Sequence, residues 1–293
     1  MGRATRAGDW SSTCRNASFW NGKSTDVITE RTLRRIAGRA RLGVGQTEHE
    51  YVVVCALDAL THTPLLADTF CLKGGTALRQ LYFQDWRYSV DLDFSVLPAF
   101  PAEALRPGLE TWFGLVGARH GVQVTLTDFH RANGAARLRA RCVGPLQHPR
   151  PLLLDVTLDE PIVLSPPRRG VVTGLFPEPD PKVLCYALEE IVAEKLRSIL
   201  QRGKARDYYD VWRLLKEKST AFDNQVAWQV FRAKCRHKGL PDPAPADFCD
   251  PAALEEAGLY WNQELAAQLI GAPSPAWDMV MMELGGLLTR FLA

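Results

Sequence analysis

Asp91 and Asp93 alternate with apolar residues in Ser89-Val90-Asp91-Leu92-Asp93-Phe94-Ser95-Val96, and two carboxylates at that spacing suit a hard cation. A strand of period two would bury Val90, Leu92, Phe94 and Val96 together and turn Asp91 and Asp93 to the opposite face. Like charges that close resist joint ionisation unless a cation or hydrogen-bond donors compensate them. Asp is also a poor strand former, so two of them in an otherwise apolar strand break local preference, as functional sites tend to do. The bland alternative is a half-exposed strand whose polar face happens to be acidic. A third acid bears on the choice. In residues 152–158 Leu152, Leu154, Val156 and Leu158 would face the core while Asp155 points out with Leu153 and Thr157. If the two strands are neighbours, three carboxylates converge. Such a set can hold two magnesium ions about 3.5 to 4 Å apart, which suits in-line phosphoryl displacement. Asp159, just beyond, serves equally well as a turn cap.

Strand, then Gly74-Gly75-Thr76, then helix places backbone N–H groups and a hydroxyl at a helix N-terminus, an arrangement that attracts phosphate. Neither a dinucleotide-binding nor a P-loop glycine pattern is present. In the helix predicted over 186–201, Ile191, Lys195 and Ile199 lie on one row beside the polar row of Glu190, Glu194, Arg197 and Gln201. Lys195 either snorkels at the core edge or points its ammonium into a cleft toward a triphosphate. Asp207 opens the next helix on the row of Val211, with Asp210 and Arg213 facing elsewhere. It serves either as an N-cap or as a partner that holds Lys195 or a neighbouring Arg.

These residues need elements to position them. Periodicity predicts amphipathic helices over 26–40 and 48–60, a strand over 69–73, a helix after the glycine turn and a strand over 89–96. A helix over 109–120 and strands over 122–127, 137–143 and 152–158 follow. After the proline-rich stretch 165–181 the pattern is helical through 186–201, 207–216, 228–237, 254–269 and 279–292. We therefore expect a loosely ordered extension over 1–25, a mixed domain over 26–165 and a C-terminal helical domain over 178–293. In the strand over 137–143, Arg137, Arg139 and Arg141 would share the face of Asp155 if the strands pair, a basic ladder beside the acids. Arg232, Lys234, Arg236, His237 and Lys238 read as the solvated face of a C-terminal helix, and nucleic-acid phosphates could use either cluster.

Composition sets few limits on this reading. The chain has 293 residues, 46% of them hydrophobic, and a formal charge of +2, so any basic surface is local. Seven cysteines without a C-x-x-C pair fit neither a disulfide framework nor a zinc site, which points to a reducing cytoplasm. No apolar run approaches the roughly 18 residues of a membrane span.

Four motifs in order resemble the AbiEii/AbiGii abortive-infection nucleotidyltransferase toxins, which include the mycobacterial MenT-type enzymes. They are K-G-G-T-A-L at 73–78, R-Y-S-V-D-L-D-F at 87–94, L-L-D-V at 153–156, and E-K-L with R-D-Y-Y-D-V at 194–196 and 206–211. The resemblance implies an α+β fold in which a polymerase-β-like nucleotidyltransferase domain, a mixed sheet flanked by helices, precedes an α-helical domain. It implies that Gly75 and Thr76 contact phosphate, that Asp91, Asp93 and Asp155 bind magnesium, that Lys195 binds the triphosphate, and that Asp207 is the acid of the last motif. We take the flanking Gly74 and Ser89 into the same nucleotide-binding set. It further implies transfer of a nucleoside monophosphate from a nucleoside triphosphate to RNA, with transfer RNA 3′ ends as target, and an antitoxin with a winged-helix domain. Transfer to a protein hydroxyl, or a catalytically silent binding module on the same fold, are the competing expectations.

Overall fold

The computed structural model describes residues 28–241, 243–269 and 273–292. The extension expected over 1–25 and the start of the first helix at Asp26 lie outside them. Alternating apolar positions build five strands: β1 (Phe70–Lys73), β2 (Asp91–Val96), β3 (Gln123–Ala132), β4 (Ala135–Val143) and β5 (Pro149–Thr157). They form a sheet of order β1-β2-β5-β4-β3, in which β2 and β5 are parallel and the other pairs antiparallel. Leu92, Phe94, Leu138, Ala140, Leu152, Leu154 and Val156 line its buried face. β3 and β4 run beyond the predicted ends because Asn133 and Gly134, both at positive φ (49° and 71°), close them into a tight hairpin.

The described helices are α1 (Glu30–Ala40), α2 (Val44–Thr61), α3 (Leu66–Thr69), α4 (Gly74–Ala77), α5 (Leu105–His120), α6 (Leu188–Arg202), α7 (Ala205–Glu217), α8 (Asn224–His237), α9 (Pro251–Ala266) and α10 (Trp277–Leu292). α2 and α5 pack together, and Trp112 Nε1 donates to the Ala56 carbonyl at 2.7 Å. The amphipathic reading of α2 is wrong: it is buried around nearly its whole circumference. Its acids are neutralised internally, Glu48 by Arg150 (3.1 Å), Glu50 by Arg79 (3.0 Å) and Asp58 by Arg119 (2.8 Å), so polar residues here do not mark a solvent face.

Strands β6 (Arg168–Gly170) and β7 (Lys182–Leu184) pair as a ribbon that begins within the proline-rich stretch 165–181. Tyr186 N donates to the Leu72 carbonyl at 3.0 Å, which stitches the ribbon's exit to β1. The helices that follow gather around α6, which packs on α7 and α8, with α9 and α10 against α7. The result is a mixed sheet flanked by helices with an α-helical C-terminal part, and α6 touches α4 at the glycine turn. Among the described residues no helix is long and apolar enough to cross a membrane.

Candidate active site

Register places the acids. Asp93 sits opposite Lys73 of β1 on one side and opposite Asp155 of β5 on the other, and paired residues share a face. Asp91, two residues earlier, joins them. The strands holding Asp91, Asp93 and Asp155 are therefore neighbours. Ordered pairing starts at Asp91 rather than Ser89, so Val90 precedes the ladder and is 41% exposed instead of buried. Ser95, on the acidic face, is buried because Tyr186 Oη donates to its hydroxyl at 2.6 Å.

The carboxylates are poorly compensated. Burial, with Asp91 and Asp155 adding to it and Lys73 and Lys195 opposing, pushes Asp93 up to about 6. Burial also raises Asp91, against the opposing charge of Arg206, and its Oδ1 is buried without a hydrogen-bond partner. Asp155 is more open, its side chain 57% exposed and 3.8 Å from Arg137 Nε. Among the described residues no three acidic, His or Cys side chains lie close enough to share one ion.

The glycine turn abuts this face. Gly74 has φ of 71°, and the Asp93 carboxylate occupies the space a side chain on Gly74 would need, so both the backbone and the close approach demand glycine. The helix after it is a single α-turn that continues as a π-helical turn over Leu78–Tyr82. The Thr76 hydroxyl is turned inward, donating to the Asp91 carbonyl, and ties the turn to β2. Ser89 Oγ and the Arg87 guanidinium stand beside Gly75 instead.

α6 and α7 complete the wall. Lys195 is buried and lies 2.7 Å from Asp210 Oδ2 and 3.4 Å from Asp207 Oδ1. Asp207 is the third residue of α7 and Lys204 its N-cap, so Asp207 is not a cap. It pairs with Lys195 and with Arg202 (2.8 Å). Asp210 does not face elsewhere: it is wholly buried and grips Arg87 with both oxygens, at 2.7 and 2.6 Å. One helical turn separates Asp207 from Asp210, a spacing that could have paired them in the sequence. Arg87 carried a signal too, its place two residues before Ser89.

A second ion cluster lies beside Lys73 of β1, on the same side as Asp93. Lys73 meets Glu160 (3.0 Å) and Glu194 (3.1 Å), Arg197 meets Glu160 (2.7 Å), and Lys234 meets Glu190 (3.0 Å). The solvated-face reading therefore fails for Lys234, which is completely buried, and the polar row of α6 faces this cluster. Three cations balance three acids, with Lys234 also over the Tyr186 ring at 4.6 Å.

Three cavities meet at Asp155. One of about 80 Å³ is walled by Gly75, Arg87, Ser89, Lys195, Arg202 and Arg206, almost all polar. One of about 340 Å³ lies toward Gly74, Asn133, Asp159, Gln201 and Lys238. The third, about 370 Å³, opens over Asp91, Asp128, Arg137, Arg139 and Leu153.

A family model described as the nucleotidyl transferase AbiEii toxin of type IV toxin–antitoxin systems matches residues 56–283. The chain belongs to that family. It is a nucleotidyltransferase toxin of a type IV toxin–antitoxin system, and the matched span includes the turn, all three aspartates, Lys195 and Asp207. The fold is similar to that of MenT4, a nucleotidyltransferase toxin from Mycobacterium tuberculosis H37Rv, with a TM-score of 0.62 over 89% of this chain and 93% of that one. At 19% identity that likeness concerns the fold. A search of curated protein sequences finds no match.

Proposed function

We propose that this AbiEii toxin transfers a nucleoside monophosphate from a nucleoside triphosphate to the 3′ end of an RNA, with transfer RNA as the expected acceptor, and releases pyrophosphate. The observation that carries the reading is the register that sets Asp93 opposite Asp155, with Asp91 on the same face and Lys195 behind. The donor set fits magnesium: it offers only oxygen, it includes the partnerless Asp91 Oδ1, and the burial that raises Asp91 and Asp93, with the charge of Asp155 adding to it at both, is what a bound cation offsets. Two magnesium ions bound by Asp91, Asp93 and Asp155 would neutralise the triphosphate and acidify the attacking hydroxyl.

The chain's own groups do the remaining work. The cationic cavity of Lys195, Arg202 and Arg206 takes the β- and γ-phosphates, with the Gly75 backbone and Ser89 hydroxyl as donors. Asp207 and Asp210 position Lys195 without surrendering it to solvent. The RNA 3′ oxygen bonds to the α-phosphorus, the bond from that phosphorus to the bridging oxygen breaks, and pyrophosphate carries away the electron pair. Asp155, the most open of the three acids, faces the incoming acceptor and receives the hydroxyl proton. With these substrates the enzyme acts in the cytoplasm, and its antitoxin carries a winged-helix DNA-binding domain, which a neighbouring reading frame would reveal.

The test is incubation with each α-labelled triphosphate, magnesium and total RNA, comparing the wild type with Asp93→Ala and Lys195→Ala. Label should enter RNA with the wild type alone. Label in protein and never in RNA would select protein hydroxyls as acceptors, and equal labelling by all three proteins would end the site assignment.

A further inference from the structure

The open face of β3, β4 and β5 carries a row of three arginines. Arg137, Arg139 and Arg141 project from it side by side, in register with Asp155, Leu153 and Pro151 of β5. Arg137 is tied to Asp155 at 3.8 Å. Arg139 and Arg141 make no side-chain ion pair with a described residue. Among the described residues of β3, the acid in register with them is Asp128, opposite Arg139. Leu153, 37% exposed and in register with Arg139, adds apolar surface beside the middle of the row. No described helix covers this face, whereas the opposite one is the core.

Resting on the transferase reading, we infer that this ladder is the acceptor track, holding a single-stranded RNA tail with its 3′ end at Asp155 and its upstream phosphates on Arg137, Arg139 and Arg141. Three features select that occupant. Alternate residues of a strand stand about 6.7 Å apart, so the row presents guanidinium groups at a repeat that an extended strand can meet phosphate by phosphate. The row spans about 13 Å and starts at the proposed metal ligands, which sets both the reach, about three nucleotides, and the direction. Exposed Leu153 offers an apolar surface to a base passing Arg139 without reading its edge, so the track discriminates tail from duplex more than one sequence from another. A duplex end would be held away from Asp155, because its paired strand would have to occupy the same trough.

The experiment uses the full chain and an RNA with a single-stranded 3′ tail of about four nucleotides, compared with the same duplex ending blunt. Initial rates of label transfer are measured against RNA, triphosphate and salt for the wild type, the double variant Arg139→Ala/Arg141→Ala, and Arg236→Ala at an exposed position of α8. The double variant should raise the RNA KM on the order of tenfold and flatten the logarithmic salt slope by about 0.7 for each arginine removed. Its triphosphate KM and kcat at saturating RNA should hold, the tailed RNA should outperform the blunt one, and Arg236→Ala should match the wild type. Circular dichroism checks that the double variant is folded, and its unchanged triphosphate KM reports an intact site. If the wild type labels RNA but the double variant keeps its RNA KM, or Arg236→Ala changes it as much, or blunt ends react equally well, the track is wrong and the transferase reading stands. If the wild type labels no RNA, both fall.

Discussion

Asp93 and Asp210 are both aspartates withdrawn from water in adjoining walls of one site, yet Asp93 is pushed up to about 6 and Asp210 down to about 2. Burial acts on both in the same direction. At Asp210 it is outweighed by Arg87 and Lys195, which touch it at 2.6 and 2.7 Å. At Asp93 no cation among the described residues makes contact, Lys73 being engaged with Glu160 and Glu194, and two further acids share the face. The comparison separates acids whose charge the chain neutralises itself, which build the wall, from acids such as Asp93 that no described cation contacts, which the proposed function assigns to magnesium.

The widest expected difference is catalytic. Asp93→Asn should lower transfer by at least about a thousandfold, or about 4 kcal/mol of barrier, while metal-free thermal stability holds or rises; label incorporation and calorimetry read the two halves. Retained transfer would merge the two classes of acid. Next, Asp210→Ala strands Arg87 and Lys195 in the interior and should cost about 3–5 kcal/mol in urea unfolding, as breaking a buried pair does. An unchanged midpoint would show that these pairs do not hold α7 to the sheet. Lys234→Met should cost about 3 kcal/mol because Glu190 and Glu194 lose a shared cation, yet transfer per folded molecule should persist. A selective loss of kcat would join that cluster to the chemistry.

The smallest effect is a pH dependence of opposite sign in the two regions. Asp93 is raised on folding, so its contribution is fully present below about pH 4 and is lost as pH rises through about 6, at most about 3 kcal/mol. Asp210 is depressed, so its contribution is present above about pH 4 and is lost as pH falls toward about 2. The metal-free wild type should decline in thermal unfolding between about pH 4 and 6, metal-free Asp93→Asn should not, and added magnesium should suppress the decline in the wild type. A wild-type curve flat through that window would remove Asp93 from the uncompensated class.

Much of the site was legible because it lies on strands. A period of two assigns faces from sequence alone, so Asp91, Asp93, Asp155 and the arginines of β4 were placed on the side they occupy. The helices were harder. α2, α6 and α8 carry charged residues at positions that a surface helix would show to water, and Glu48, Glu190, Glu194 and Lys234 were buried instead. Periodicity reports polarity, and a polar residue neutralised by a partner far along the chain looks the same as one neutralised by water. Thr76 illustrates the other gap: its hydroxyl serves the Asp91 carbonyl fifteen residues away, a choice set by how the turn packs on β2.

The sequence by itself determined which residues could do chemistry here, the existence of most strands and helices, and the family, since four ordered motifs survive without any knowledge of contacts. Only the tertiary structure decided that Asp93 faces Asp155 across a parallel pair, that Asp210 shares Lys195 with Asp207, and that Lys73 is committed to a buried cluster. The division has one physical cause. Local patterns encode each residue's orientation relative to its own strand or helix, whereas charge compensation depends on which distant side chains the fold brings within about 4 Å.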